Sequence, residues 1–152
     1  MQLSKHFSLG ELTKSHTAER KGIKNVPTEQ EQQSLALVCE NILEPVRAHY
    51  EMPIIPSSGY RALELNREIG SKDTSQHVKG EAVDFEIAGV PNMDLAKWIM
   101  KNLDYDQLIL EFYKTEDPNS GWVHCSYVKE KNRKIALRFG GGKWEKLEDS
   151  ST

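Results

Sequence analysis

Two cysteines in 152 residues, at Cys39 and Cys125, are too few for a disulfide framework and too scattered for a thiolate zinc cluster. A small fold held by covalent staples is excluded, and both thiols are expected to be reduced and buried. There is no large excess of one charge: the formal net charge is −3 with 28% charged residues, which leaves no electrostatic footprint for nucleic acid or an anionic membrane surface. No apolar run approaches the length of a membrane span, and Met1 to Ser8 lacks the apolar core of a secretory signal. Cytoplasmic synthesis without membrane insertion is expected. Internal repeats and low-complexity linkers are also missing. The length and the 38% hydrophobic content suit one domain over residues 1–152 with its own core, acting as a monomer, and a polar, frayed tail from about residue 145.

What is present is concentrated between Thr74 and Ile87. Val83, Phe85 and Ile87 alternate as one face of a strand, so Ala82, Asp84 and Glu86 point the other way. His77 precedes the strand in a loop, and Gly80 lets the chain turn back so that the imidazole reaches the face carrying Asp84. A second polar face comes from a hairpin. Leu108–Tyr113 and Trp122–Val128 are strand-like on either side of the turn-rich segment 114–121. In the second strand Trp122, His124 and Ser126 share a face, with Val123, Cys125 and Tyr127 on the core side. His77, Asp84 and His124 then form two imidazoles and a carboxylate with an open fourth position, the arrangement of a catalytic zinc site.

The pattern Ser75-x-His77-x-x-Gly80-x-Ala82-x-Asp84 followed by Trp122-Val123-His124, with Ser58-Gly59-Tyr60-Arg61 upstream, resembles the zinc D-alanyl-D-alanine carboxypeptidase and L-alanyl-D-glutamate peptidase family. Phe7 to Pro27 is similar to the amino-terminal region of its phage-type members. The resemblance implies a hedgehog/DD-peptidase-like fold and zinc-dependent hydrolysis of D-amino-acid-containing peptides of bacterial peptidoglycan, by carboxypeptidase or endopeptidase action. Phage lysis or cell-wall remodelling is the implied setting, with access to the wall after release from the cell. It also implies that Arg61 meets substrate, through a fork suited to a carboxylate; Ser75, two residues before His77, is placed either to bond substrate or to brace the loop, and Trp122 is a further substrate-binding candidate. The alternative of a different class is a non-catalytic zinc-containing module of the same fold that binds cell wall or builds a virion. In several members an acid stands three residues before the last zinc histidine, or a second histidine two residues before it. Here those positions are Gly121 and Trp122. Glu111, in a strand opposite in parity to Leu108, Leu110 and Phe112, is therefore the candidate general base, with Glu116 and Asp117 in the loop as rivals.

The remaining elements read in order. Ser8 caps a short helical turn to Thr13, and 14–27 reads as a polar loop in which His6, just upstream, and His16 are plain surface histidines. Thr28 and Glu31 form a capping box for a helix whose apolar stripe runs from Leu35 to Tyr50, with Pro45 predicting a kink or break. Met52–Ser58 reads as a short strand, and Ala62–Ile69 as a short helix with Asn66 and Arg67 exposed. Asn92 caps a helix to Asn102, 134–139 forms a strand, and Gly140–Gly142 end it. This order predicts an α+β fold, a mixed and mainly antiparallel sheet with helices on one face.

Overall fold

The structure, a computed structural model, describes residues 1–148. Helices α1 (Leu9–Thr13), α2 (His16–Lys21), α3 (Glu29–Val38), α4 (Glu44–Tyr50) and α5 (Leu63–Glu68) occupy the first half. A 3₁₀ turn (Gln76–Lys79) leads into β1 (Ala82–Phe85), and α6 (Asn92–Asn102) follows. Strands β2 (Gln107–Glu111), β3 (Trp122–Ser126), β4 (Ile135–Gly140) and β5 (Lys143–Lys146) complete one sheet, ordered β1-β3-β2-β4-β5. The class is α+β with a mixed sheet. The expected run of antiparallel strands is interrupted once, because the chain passes β2 after β3 and lays β4 parallel to it.

One face of the sheet is apolar. Val83, Phe85, Leu108, Leu110, Val123 and Cys125 are fully buried in one cluster with Leu35 and Val38 of α3 and Leu95 and Ile99 of α6. Each such side chain contributes roughly 1.5–3 kcal/mol. A one-residue slip would exchange these residues for Asp84, Glu111 and His124, so burial of this face also sets the register of the other. Both thiols are buried. Desolvation pushes Cys39 up to about 12 and raises Cys125 as well, which leaves them unreactive.

The helix starts follow the sequence signals at α1 and α3, where Ser8 with Glu11 and Thr28 with Glu31 form capping boxes. Residues 14–27 are not a plain loop. Ser15 accepts the Ala18 N–H and Gly22 closes in the left-handed region, enclosing α2; its only buried residue is Ala18, so hydrophobic periodicity was silent while the caps were present. His6 is exposed, as expected of a surface histidine, and pairs there with Glu44: its Nδ1 lies 2.6 Å from that carboxylate and its backbone N–H donates to it. The long helix is not broken at Pro45. It passes through one π turn over Cys39–Leu43, in which the Glu44 N–H reaches back to the Cys39 carbonyl, and continues as α4.

Met52–Ser58 forms no strand. Pro53 and Pro56 lack donors, and the segment meets β1 only where Ser57 and Ser58 bond the Asp84 carbonyl and the Asp84 N–H donates to Ser58. Asn92 does not cap α6; Pro91 occupies that position, and the buried Asn92 amide donates to Glu86, Ser120 and Gly121. Gly140–Gly142 do end β4, but as a turn into β5, with Gly141 and Gly142 at positive φ. Leu147 is buried and its N–H donates to Ala136, so the expected frayed tail does not begin at residue 145; 149–152 lie outside the described residues. No described helix is long and apolar enough to cross a membrane.

Asp106, 3% exposed, joins the sheet to the turn that carries His77. Its carboxylate accepts from the Arg133 backbone, Nε and Nη2, and from Gln76 Nε2. These bonds, chiefly from Arg133, hold the Asp106 pKa below its ordinary value. A carboxyl lowered by folding stabilises the fold above its unfolded pKa and loses that contribution as pH falls through the folded value. Asp106→Asn is expected to cost roughly 2 kcal/mol at neutral pH and to flatten the acid side of the stability profile; equal chemical denaturation midpoints for both proteins at neutral pH would remove Asp106 from this role.

Candidate metal centre

His77 stands on the 3₁₀ turn. Ser75 opens that turn, its Oγ accepting the His77 N–H at 3.3 Å. Gly80 closes it at φ 73°, where a Cβ would lie 2.6 Å from the Glu31 carbonyl oxygen; both the turn and the approach of α3 require glycine. Asp84 lies on β1 directly opposite His124 on β3. His77 Nε2 is 3.2 Å and His124 Nδ1 is 2.9 Å from the same oxygen, Asp84 Oδ1. All three residues are buried, with their donor atoms within 4.8 Å of one another.

The protonation pattern fits a cation. His77 Nδ1 is 2.7 Å from the Gly59 carbonyl, which only accepts, so that nitrogen carries the proton and Nε2 of a neutral ring presents a lone pair. Burial lowers the His77 pKa against the pull of Asp84 and keeps the ring neutral. A lone pair then faces a carboxylate oxygen with no proton between them. Asp84 is itself held below the carboxylate range: burial would raise it, but His77 and His124 outweigh that effect. Two imidazoles and one ionised carboxylate, one ring fixed by an outer carbonyl, are a group that could hold a metal ion such as zinc.

The flanking side chains converge on the same floor. Arg61, mostly buried, donates from Nε to Ser58 Oγ and from Nη1 to Asn66 Oδ1, each at 3.1 Å, and Nη2 lies 3.5 Å from Asp84 Oδ2. Glu111 is half-buried beside Trp122 in the strand register. Burial and the Asp84 charge raise its pKa, opposed by His124, Arg61 and Trp122. The Trp122 indole N–H is buried with no acceptor at full hydrogen-bond distance, and its nearest electrostatic partner is Glu111, whose pKa it lowers. Glu116 and Asp117 are exposed in the hairpin loop, where Asp117 Oδ1 braces the turn through the Asn119 N–H.

The sequence model of the family described as Peptidase M15 matches residues 5–126, which include every residue of this site. The chain belongs to the peptidase M15 family. A comparison with curated proteins finds no match. M15 is the zinc D-alanyl-D-alanine carboxypeptidase family, and zinc dependence is general in it; a metallopeptidase is the activity that membership supports.

Around the M15 donor set, three contributors escaped the sequence reading. Asn66 is fully buried, not exposed; its Oδ1 holds Arg61 and its Nδ2 donates to the Lys72 carbonyl at 2.7 Å. An Asn five residues after the arginine was the only signal. The Gly59 carbonyl and the Gln76–Asp106 bond are contacts between segments distant in sequence, and no local pattern announces them.

Proposed function

We propose that this M15 protein is a zinc-dependent peptidase of bacterial peptidoglycan, hydrolysing D-amino-acid-containing stem or cross-bridge peptides in phage lysis or wall remodelling. The observation that carries the reading is the buried convergence of His77, Asp84 and His124, whose donor atoms lie within 4.8 Å of one another, beside a carboxylate whose pKa is raised. His77, Asp84 and His124 would hold the metal. When bound, zinc supplies Lewis acidity that polarises a peptide carbonyl and activates water near neutral pH.

The chain's own groups do the rest. Glu111 takes a proton from the attacking water at its carboxylate and can return it to the leaving amine, a task that its raised pKa favours. Arg61 has N–H groups beyond those engaged by Ser58, Asn66 and Asp84, and these pair with a substrate carboxylate. The Ser75 hydroxyl, which accepts from the His77 N–H, still has its own proton to give, and the Trp122 ring lies beside Glu111 where substrate would pass.

The test is incubation of the purified protein with peptidoglycan, with and without a chelator followed by zinc, and mass analysis of the products. Release of free D-alanine marks a carboxypeptidase and larger fragments an endopeptidase; no metal-dependent release of either kind rejects the proposal. Arg61→Ala is expected to lower kcat/KM by roughly 10- to 100-fold, the loss of a charged hydrogen-bonded pair, while zinc content is retained. Equal kcat/KM in mutant and parent on a peptide with a free carboxyl end would remove Arg61 from substrate binding.

A further inference from the structure

A guanidinium recognises a carboxylate best when its plane is already fixed, because a free arginine side chain must give up its rotamer freedom at the moment of binding. Arg61 is held at both ends. Its backbone N–H donates to the His77 carbonyl at 3.1 Å, which ties it to the turn of the candidate metal centre. Its side chain donates to Ser58, Asn66 and Asp84, and among the described residues one N–H on each terminal nitrogen stays unengaged.

Two asparagines supply most of this support. Asn66, fully buried, accepts from Arg61 Nη1 at 3.1 Å while its Nδ2 donates to the Lys72 carbonyl at 2.7 Å. Its amide cannot turn over, since that would set Nδ2 against a guanidinium donor and Oδ1 against a carbonyl. Asn25 acts on the backbone. It is half-buried between α2 and α3, where its Nδ2 donates to the Thr13 carbonyl at 2.7 Å and the Tyr60 carbonyl at 3.0 Å, and its Oδ1 accepts the Ala62 N–H at 2.7 Å. The residues on either side of Arg61 are thus joined to one side chain 35 and 37 residues away.

The chemistry of these supports points to an anion. Burial pulls the Arg61 pKa down against Asp84 and Glu111, so a cation is kept where its desolvation is costly. Ser58, Asn66 and Asn25 are neutral, and they fix the guanidinium without cancelling its charge. Asp84, the one carboxylate in contact with it, also faces His77 and His124. We propose that, given the substrate role proposed above for Arg61, Asn25 and Asn66 are positioning residues that hold it in the orientation that receives a substrate carboxylate. Asn66 acts through the guanidinium and Asn25 through the backbone on either side.

The experiment uses two probes, the soluble stem peptide with its carboxyl groups free and the same peptide with those groups amidated. Binding is measured by calorimetry with a chelator present to stop turnover, and cleavage of both is followed with zinc restored. The parent is expected to prefer the free form. Asn25→Ala and Asn66→Ala are each expected to reduce that preference about tenfold, the scale on which a slightly misplaced group fails, with the parent's zinc content. In an Arg61→Ala background neither is expected to reduce it further, because residues that act as one unit are not additive. A merely structural role weakens both peptides alike; that result, or an undiminished loss in the Arg61→Ala background, overturns the proposal. A parent that binds both forms equally overturns it too, even if it cleaves them. A preference that both substitutions reduce, in a parent that cleaves neither peptide, supports the positioning role and rejects the proposed reaction. Far-UV circular dichroism checks folding, and Asn25→Ala with Asn66→Ser decides the matter if Asn66→Ala does not fold.

Discussion

His124→Ala is expected to yield a protein that folds but, purified beside its parent, retains only a small fraction of the parent's zinc. The His124 ring would supply one of the three proposed donors, and its Nδ1 sits 2.9 Å from Asp84. Loss of an outer-shell partner alone costs about 10- to 100-fold in metal affinity; loss of a direct ligand is expected to exceed that. The same outcome is expected for His77→Ala and Asp84→Ala, with Asp84→Ala also leaving the mostly buried Arg61 without its counter-charge. Zinc measured by elemental analysis, together with the shift in Tm on adding zinc, reads both effects. A stoichiometric zinc content in His124→Ala would end the assignment of that residue as a ligand.

Glu111→Gln makes a different claim. It removes the proton acceptor and preserves shape, so zinc content and Tm are expected to stay near parental values while kcat falls by about two to four orders of magnitude, the range for a positioned acid–base group. The carboxylate is the one near the donor set whose pKa burial raises. Glu116→Gln and Asp117→Asn are the controls, since both residues sit exposed in the hairpin loop. If either control loses turnover while Glu111→Gln retains it, the base belongs to the loop and the strand position of Glu111 has another purpose.

The three side chains that converge at the candidate metal centre were legible as polar positions on a loop and two strands. His77, Gly80 and Asp84 lie within one loop and strand, and period-2 alternation placed Asp84 and His124 on polar faces and Cys125 on the apolar one. The capping boxes at Ser8 and Thr28 were equally local. Where reading failed, a local preference met a tertiary demand. Alternation assigned Phe112 to the core, but its positive φ and the abutting Gly121 turn it outward. Three glycines after β4 read as an end and are a turn into β5. Asn66 read as exposed because a short helix carries too little pattern to show its buried side.

Residue type and spacing alone therefore determined where most strands run, which polar residues stand on the face opposite the core, and which family signature the chain carries, since strand parity and capping depend on neighbours a few positions apart. Only the tertiary structure decided the proton on His77 Nδ1, which a carbonyl 18 residues away selects, the clamp of Asn66 on Arg61, and the bond from Gln76 to Asp106 across 30 residues. Those arrangements arise where packing of the apolar face brings distant segments into register, and polar groups that meet in that register must then satisfy one another.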